Sequence, residues 1–134
     1  MLADWYEAAD AEMALHAGEL DRASELAEAV AISSGKSGLL FSQGIAERVL
    51  GEVLAQCSRQ TEADEHMEAS IDILESGGLK LQAAWTRMRW GVRLHERGED
   101  SQGRLLFDLA ERQFAQSTCS FSLSEINRLQ FRYS

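Results

Sequence analysis

Two short stretches carry residue types associated with catalysis or phosphate binding, and each lacks the partner its chemistry requires. Gly35-Lys36-Ser37 ends like a phosphate-cradling loop, in which glycine amides and a lysine hold a polyphosphate. Such a loop needs a further glycine five residues earlier, where Val30 stands, and it follows a strand, whereas this stretch follows a helical pattern. It reads as a glycine-containing connection between helices. His95-Glu96 opens like a zinc-peptidase motif, but Gly98-Glu99 occupies the stretch where the second histidine belongs. His16, His66 and His95 each stand alone, no Cys/His cluster has metal-ligand spacing, and no strained turn presents a serine nucleophile. The carboxylates fall mainly on polar helix faces, where solvation is their ordinary state. The expectation is a non-enzyme with no metal site and no cofactor.

A third constellation bears on binding. Arg89, Arg93 and Arg97 are spaced four apart and line one helix face, with Arg87 nearby and Trp85 and Trp90 interleaved. Two readings stay open. An acidic peptide or partner helix suits such a face, because Arg and Trp are enriched at binding hot spots. Alternatively the arginines pair with Glu96, Glu99, Asp100 or Asp108 and the tryptophans belong to the core.

Charge and composition bound the partner. The net charge of −9 argues against nucleic acid, whose phosphates demand clustered Lys and Arg. Residues 1–80 hold 5 basic and 16 acidic side chains, whereas residues 81–134 hold 8 basic, all arginine, and 6 acidic. That asymmetry can steer an acidic partner to one end or set two copies head to tail. No run approaches the ~20 apolar residues that cross a bilayer, and Asp4, Glu7 and Asp10 interrupt any leader-like stretch at the start. Cys57 and Cys119 follow no C-x-x-C pattern and read as reduced thiols. A cytoplasmic location without membrane contact is expected.

The elements that must position these residues are helices. Proline is absent, and Ala, Leu, Glu, Gln and Arg dominate. Three segments align without gaps at a spacing of 40, beginning at Leu15, Ala55 and His95, with Gly18, Ser58 and Gly98 at the turn. Five residues later stand Ala23, Ala63 and Gly103, and seven before the turn stand Ala11, Gly51 and Gly91. The turn glycines suit a reversal with positive φ, and the small residues within helices let two axes approach closely. Further breaks fall at Ser33-Ser34-Gly35, Ser76-Gly77-Gly78 and Ser117-Thr118. Seven helices are expected, near 2–16, 19–34, 38–56, 60–76, 79–97, 100–117 and 121–133. Ile45, Ala46, Val49, Leu50, Val53 and Leu54 cover more than one face, as do Trp85, Met88, Trp90, Val92 and Leu94, which is the pattern of helices packed on two sides. The reading is all-α: an α-α superhelix, with hairpins near 1–37, 38–78 and 79–118 and a final helix over 120–134, as one domain across 1–134.

Leu50-Gly51 and Trp90-Gly91, the turns that follow, and Ala23 or Ala63 beyond a turn resemble the signature positions of tetratricopeptide repeats. The 40-residue period exceeds the usual 34, and the closing proline is missing. The longer form is similar to the extended repeats of large bacterial regulators, such as LuxR-type ATP-binding transcription factors and some cyclases. That resemblance implies a non-catalytic scaffold for protein contact or regulation, with a groove lined by the first helix of each hairpin. It places Trp5, Ile45 and Trp85 in one row of the groove, Ala8, Arg48 and Met88 in a second, and Glu12, Glu52 and Val92 in a third. The partner-binding candidates are therefore Trp85, Met88, Arg48 and Glu52, joined by Arg89 and Arg93 from the arginine stripe. The final helix carries Phe121, Leu123, Ile126, Leu129, Phe131 and Tyr133, and Ile126, Leu129 and Tyr133 are the candidates for self-association. Three functions follow as expectations: a module that binds a protein or peptide segment, a self-assembly (homodimer) domain, or a small-molecule sensor. The chain starts and stops within helical pattern, as a fragment of a larger protein would.

Overall fold

The computed structural model describes residues 2–37 and 39–118. Six α-helices follow one another: α1 (Leu2–His16), α2 (Leu20–Ser37), α3 (Leu40–Gln56), α4 (Gln60–Ser76), α5 (Lys80–Glu96) and α6 (Asp100–Thr118). Each helix packs on its neighbour in sequence, and α3 also touches α1 and α5, so the first helices of the three hairpins lie side by side. This is an all-α helical-repeat fold. The seventh helix expected near 121–133, with Ile126, Leu129 and Tyr133, lies outside the described residues.

One hinge is used five times. The N–H of residues 19, 39, 59, 79 and 99 reaches back five residues, to the carbonyls of Ala14, Ser34, Leu54, Leu74 and Leu94, at 2.8–3.0 Å. The carbonyl of the same hinge residue then accepts the N–H four residues on, at Ala23, Gln43, Ala63, Ala83 and Gly103. The first bond closes the preceding helix in a Schellman motif, and the second opens the next. No side-chain cap is formed at Leu39, Arg59 or Leu79, because the turn's own backbone closes the junction. The motif requires a left-handed residue just before the hinge, where Gly18, Gly78 and Gly98 have φ of 79°, 73° and 88°. Ser58 takes the same conformation at φ 62°. The structural unit is thus 20 residues, half of the period read from the sequence.

The same hinge corrects one boundary. The Ser33-Ser34-Gly35 stretch does not break the chain; α2 runs through it to Ser37. Its end is set by the next hinge, at Leu39, and Gly35-Lys36-Ser37 belongs to the helix's last turn. A phosphate loop instead stands at a helix N-terminus, where the amides are free.

The small residues do what their positions call for. A Cβ on Gly51 would stand 3.1 Å from the carbonyl oxygen of Ala63, and one on Gly91 would stand 3.0 Å from that of Gly103. Backbone meets backbone there, so α3 approaches α4, and α5 approaches α6, too closely for a side chain. Ala11 and Ala23 are fully buried at the equivalent positions of the first hairpin. The core runs from Ala8, Ala11 and Leu15 through Ala27 and Val30 to Val49 and Val53, and on to Met67, Leu74 and Leu94.

The two helices expected to pack on both sides differ. Helix α3 is buried along most of its length, by α1 and α2 on one flank and α4 and α5 on the other. In α5, Met88, Trp90 and Val92 are only half-buried, because among the described residues no helix lies beside α5 as α5 lies beside α3. Leu105 and Leu109 on α6 are exposed for the same reason.

Candidate functional site

The first helices α1, α3 and α5 bound a groove holding a cavity of about 330 Å³. Helix α1 contributes Ala9, Glu12 and His16, α3 contributes Phe41, Ile45 and Arg48, and α5 contributes Gln82 and Trp85. The contributions from each helix recur every three or four residues, so one face of each is turned inward. Trp85 is 43% exposed, although a tryptophan in a repeat would ordinarily be core.

The floor of this groove is charged and internally paired. Arg48 is 3% exposed and donates from Nη2 to Glu12 Oε1 at 2.5 Å, and from Nη1 to Thr86 Oγ1 at 3.1 Å. Both guanidinium Nη atoms also lie 3.3 Å from Gln82 Oε1. The Thr86 hydroxyl shares a hydrogen bond with Ser70 at 3.0 Å, and Ser70 donates to the Gly44 carbonyl at 2.7 Å. One polar chain therefore ties α1, α3, α4 and α5 together. A buried charge is tolerated only when paired and hydrogen-bonded, and Arg48 meets both conditions.

The pattern repeats 40 residues on. Glu52, also 3% exposed, accepts from Arg89 Nε at 2.8 Å and lies 3.5 Å from Arg93 Nη2. Each glutamate thus holds an arginine of the following first helix. The next position in the series is Val92, and the ladder of charges stops there.

These distances say where each expected site residue stands. Trp85 faces the groove and is open to solvent. Met88 is half-buried on α5. Arg48 and Glu52 are buried between adjacent first helices, with their charges engaged within the chain, and Arg89 and Arg93 are half-buried against Glu52. The second and third rows therefore form the joints between first helices, with Glu12 and Arg48 also reaching the groove's floor, and Ile45 and Trp85 of the first row line its open space. The side chain of Trp5, the remaining member of that row, lies outside the described residues.

The arginine stripe is neither a free binding face nor a set of purely local pairs. Arg93 does reach Glu96, and Arg97 does reach Glu99, but Glu52 and Asp64 from the preceding hairpin bind the stripe as well. Asp64 accepts from Arg97 Nη2 at 2.7 Å and from the indole Nε1 of Trp90 at 2.8 Å, locking α5 to α4. The carboxylate of Asp64 holds the Arg97 guanidinium's pKa above its ordinary value.

His66 contacts Glu47 at 2.5 Å across α3 and α4, His95 contacts Asp100 at 2.8 Å, and His16 stands exposed at the groove's rim. Cys57 is an exposed free thiol at the end of α3, and Cys119 lies outside the described residues. Among the described residues no group of three or more His, Cys, Asp or Glu side chains is placed to hold a metal ion. No helix among them is long and apolar enough to cross a membrane.

Phe41, Gln82 and His16 were not among the residues singled out for the groove, yet they line the cavity with Glu12, which the third row places there. Phe41 was legible, because it sits one helical turn before Ile45 on the same face. Gln82 carried no such mark, since it reads as an ordinary surface residue of a helix. With the geometry in place, comparison with protein-family models, with curated proteins and with solved structures finds no match.

Proposed function

We propose that this chain is a non-catalytic interaction scaffold that holds a peptide segment of a partner protein in the groove between α1, α3 and α5. The observation that carries this reading is the unused hydrogen-bonding capacity beside an exposed tryptophan. Glu12 spends Oε1 on Arg48, and Gln82 spends its amide oxygen there too. The second carboxylate oxygen of Glu12 and the amide nitrogen of Gln82 have no hydrogen bond among the described residues. One acceptor and one donor at fixed places are what a peptide unit of an extended segment requires. Trp85, Phe41 and Ile45 add an apolar wall for a side chain of that segment. Because Arg48 already holds both polar residues in place, little rotamer freedom is lost on binding. The resemblance to tetratricopeptide-like modules agrees with this role, and on that reading the chain works in the cytoplasm as part of a larger bacterial regulator.

The test is selection from a random peptide-display library on the wild-type chain. A consensus is expected to emerge, and the best peptide is expected to bind Trp85→Ala/Gln82→Ala at least about tenfold more weakly with helicity unchanged, the loss of roughly one hot-spot contact. Arg48 is left intact in this variant, since removing it would disturb the joint beneath the groove. Absence of any enriched consensus, or equal binding by the variant, would sink the groove assignment.

A further inference from the structure

A second cavity, about 340 Å³, opens between the end of α4, the first half of α5 and the second half of α6. Among the described residues it shares no lining residue with the groove. From α5 it receives Lys80, Ala83 and Arg87, and from α6 Leu109, Arg112, Gln113 and Gln116, two faces with helical spacing turned toward each other. Glu75, at the end of α4, is the one acidic residue among the described lining residues, and it is ion-paired with Arg87.

The state of the cations sets this cavity apart. The chain carries 22 acidic side chains against 13 basic ones, so a cation finds an acidic neighbour readily. Among the described side chains, Arg22, Arg48, Arg59, Arg87, Arg89, Arg93 and Arg97 are all in ion pairs. The described basic side chains in no ion pair are Lys80, Arg104 and Arg112. Two of those three line this one cavity, next to an arginine whose orientation Glu75 fixes. Gln113 and Gln116 add carboxamide donors, and Ala83 and Leu109 add apolar surface beside the charges.

We propose that this cavity binds a small organic dianion, with Lys80 and Arg112 supplying the charge, Arg87 and the two glutamines orienting the oxygens, and Leu109 contacting the carbon skeleton. Two unpaired cations match a doubly charged head group better than a single carboxylate, and Arg supplies the forked donors that carboxylate and phosphate oxygens accept. The volume lies at the small end of the range for ligand pockets, which suits a metabolite-sized molecule and not a folded domain. A phosphate monoester and a short dicarboxylate share this chemistry.

Isothermal titration of the full chain at constant ionic strength decides the matter, with glycerol 3-phosphate and succinate as separate probes and acetate as the singly charged control. One-to-one saturable binding of at least one dianion, tighter than acetate, is expected. The dianion that binds more tightly identifies the head group. Lys80→Gln/Arg112→Gln is expected to weaken that binding at least about tenfold with an unchanged far-ultraviolet spectrum, since each replaced cation removes a charge-assisted contact. Arg104→Gln, which removes the third unpaired cation outside the cavity, is expected to leave it unchanged. Absence of saturable binding by both dianions overturns the proposal. So does an Arg104→Gln effect as large as that of the double variant, because attraction would then belong to the chain's overall field.

Discussion

Ser58 holds a conformation that an L-residue adopts at a cost. At φ 62° it fills the left-handed place that Gly18, Gly78 and Gly98 fill at the equivalent hinges. Its N–H still bonds the Ala55 carbonyl at 3.2 Å, and Arg59 still reaches Leu54 at 2.9 Å, so the motif is intact and the strain sits in one residue. The side chain is exposed and packs nothing that glycine would forfeit. Ser58→Gly is therefore expected to stabilise the chain by roughly 0.5–1 kcal/mol, the relief of left-handed strain reduced by glycine's greater freedom when unfolded. A higher urea midpoint at unchanged slope checks this, and a lower midpoint refutes the strain argument. Ser58 also shows where local sequence misleads. Its equivalence to glycine was legible only through the 40-residue alignment, while Ser33-Ser34-Gly35, with turn-like composition, lies within α2. Hydrogen bonding to Leu39 decides where that helix ends, and residue type alone could not reveal it.

At the scale of elements, the close approaches were readable and the charged joints were not. Gly51, Gly91 and Gly103 announce close approach because a glycine within a helix costs up to about 1 kcal/mol and needs a reason to be there. Arg48 sends no comparable signal: its partners Glu12 and Thr86 lie 36 and 38 residues away on other helices, and an arginine on an apolar helix reads as surface. That joint has an uneven response to substitution. Glu12 has 30% of its side chain exposed and Arg48 3%, so removing either leaves a different charge in a different place. Without Arg48, the glutamate can turn to water, and the Thr86 hydroxyl still donates to Ser70. Without Glu12, a guanidinium stays buried with no counter-charge. Glu12→Ala is accordingly expected to cost roughly 3–5 kcal/mol and Arg48→Met no more than about half of that. Chemical denaturation of both single variants gives the order; a larger loss for Arg48→Met would show that the arginine's packing, and not its charge, secures the joint.

Across the described helices, stability is expected to be graded from the middle outward. Helix α3 touches α1, α2, α4 and α5 and buries residues from Ser42 to Val53, including both charged anchors, Arg48 and Glu52. Helix α6 rests chiefly on α5 and leaves Leu105 and Leu109 exposed. In a stack where each unit gains stability only from its neighbours, the unit with contacts on every side opens last. The groove between α1, α3 and α5 is thus built around the most secure helix, which favours a preformed site for a peptide, whereas the dianion cavity lies against the least secure one. Binding there would draw α6 onto α5, because a ligand that contacts both helices stabilises their closed arrangement in proportion to its affinity. Amide hydrogen exchange followed by mass spectrometry reads this gradient directly. The slowest exchange is expected in α3 and α4 and faster exchange in α6, with saturating dianion slowing α6 while leaving α3 unchanged. If α6 exchanges as slowly as α3 without ligand, the helices open as one cooperative unit, and the graded picture fails.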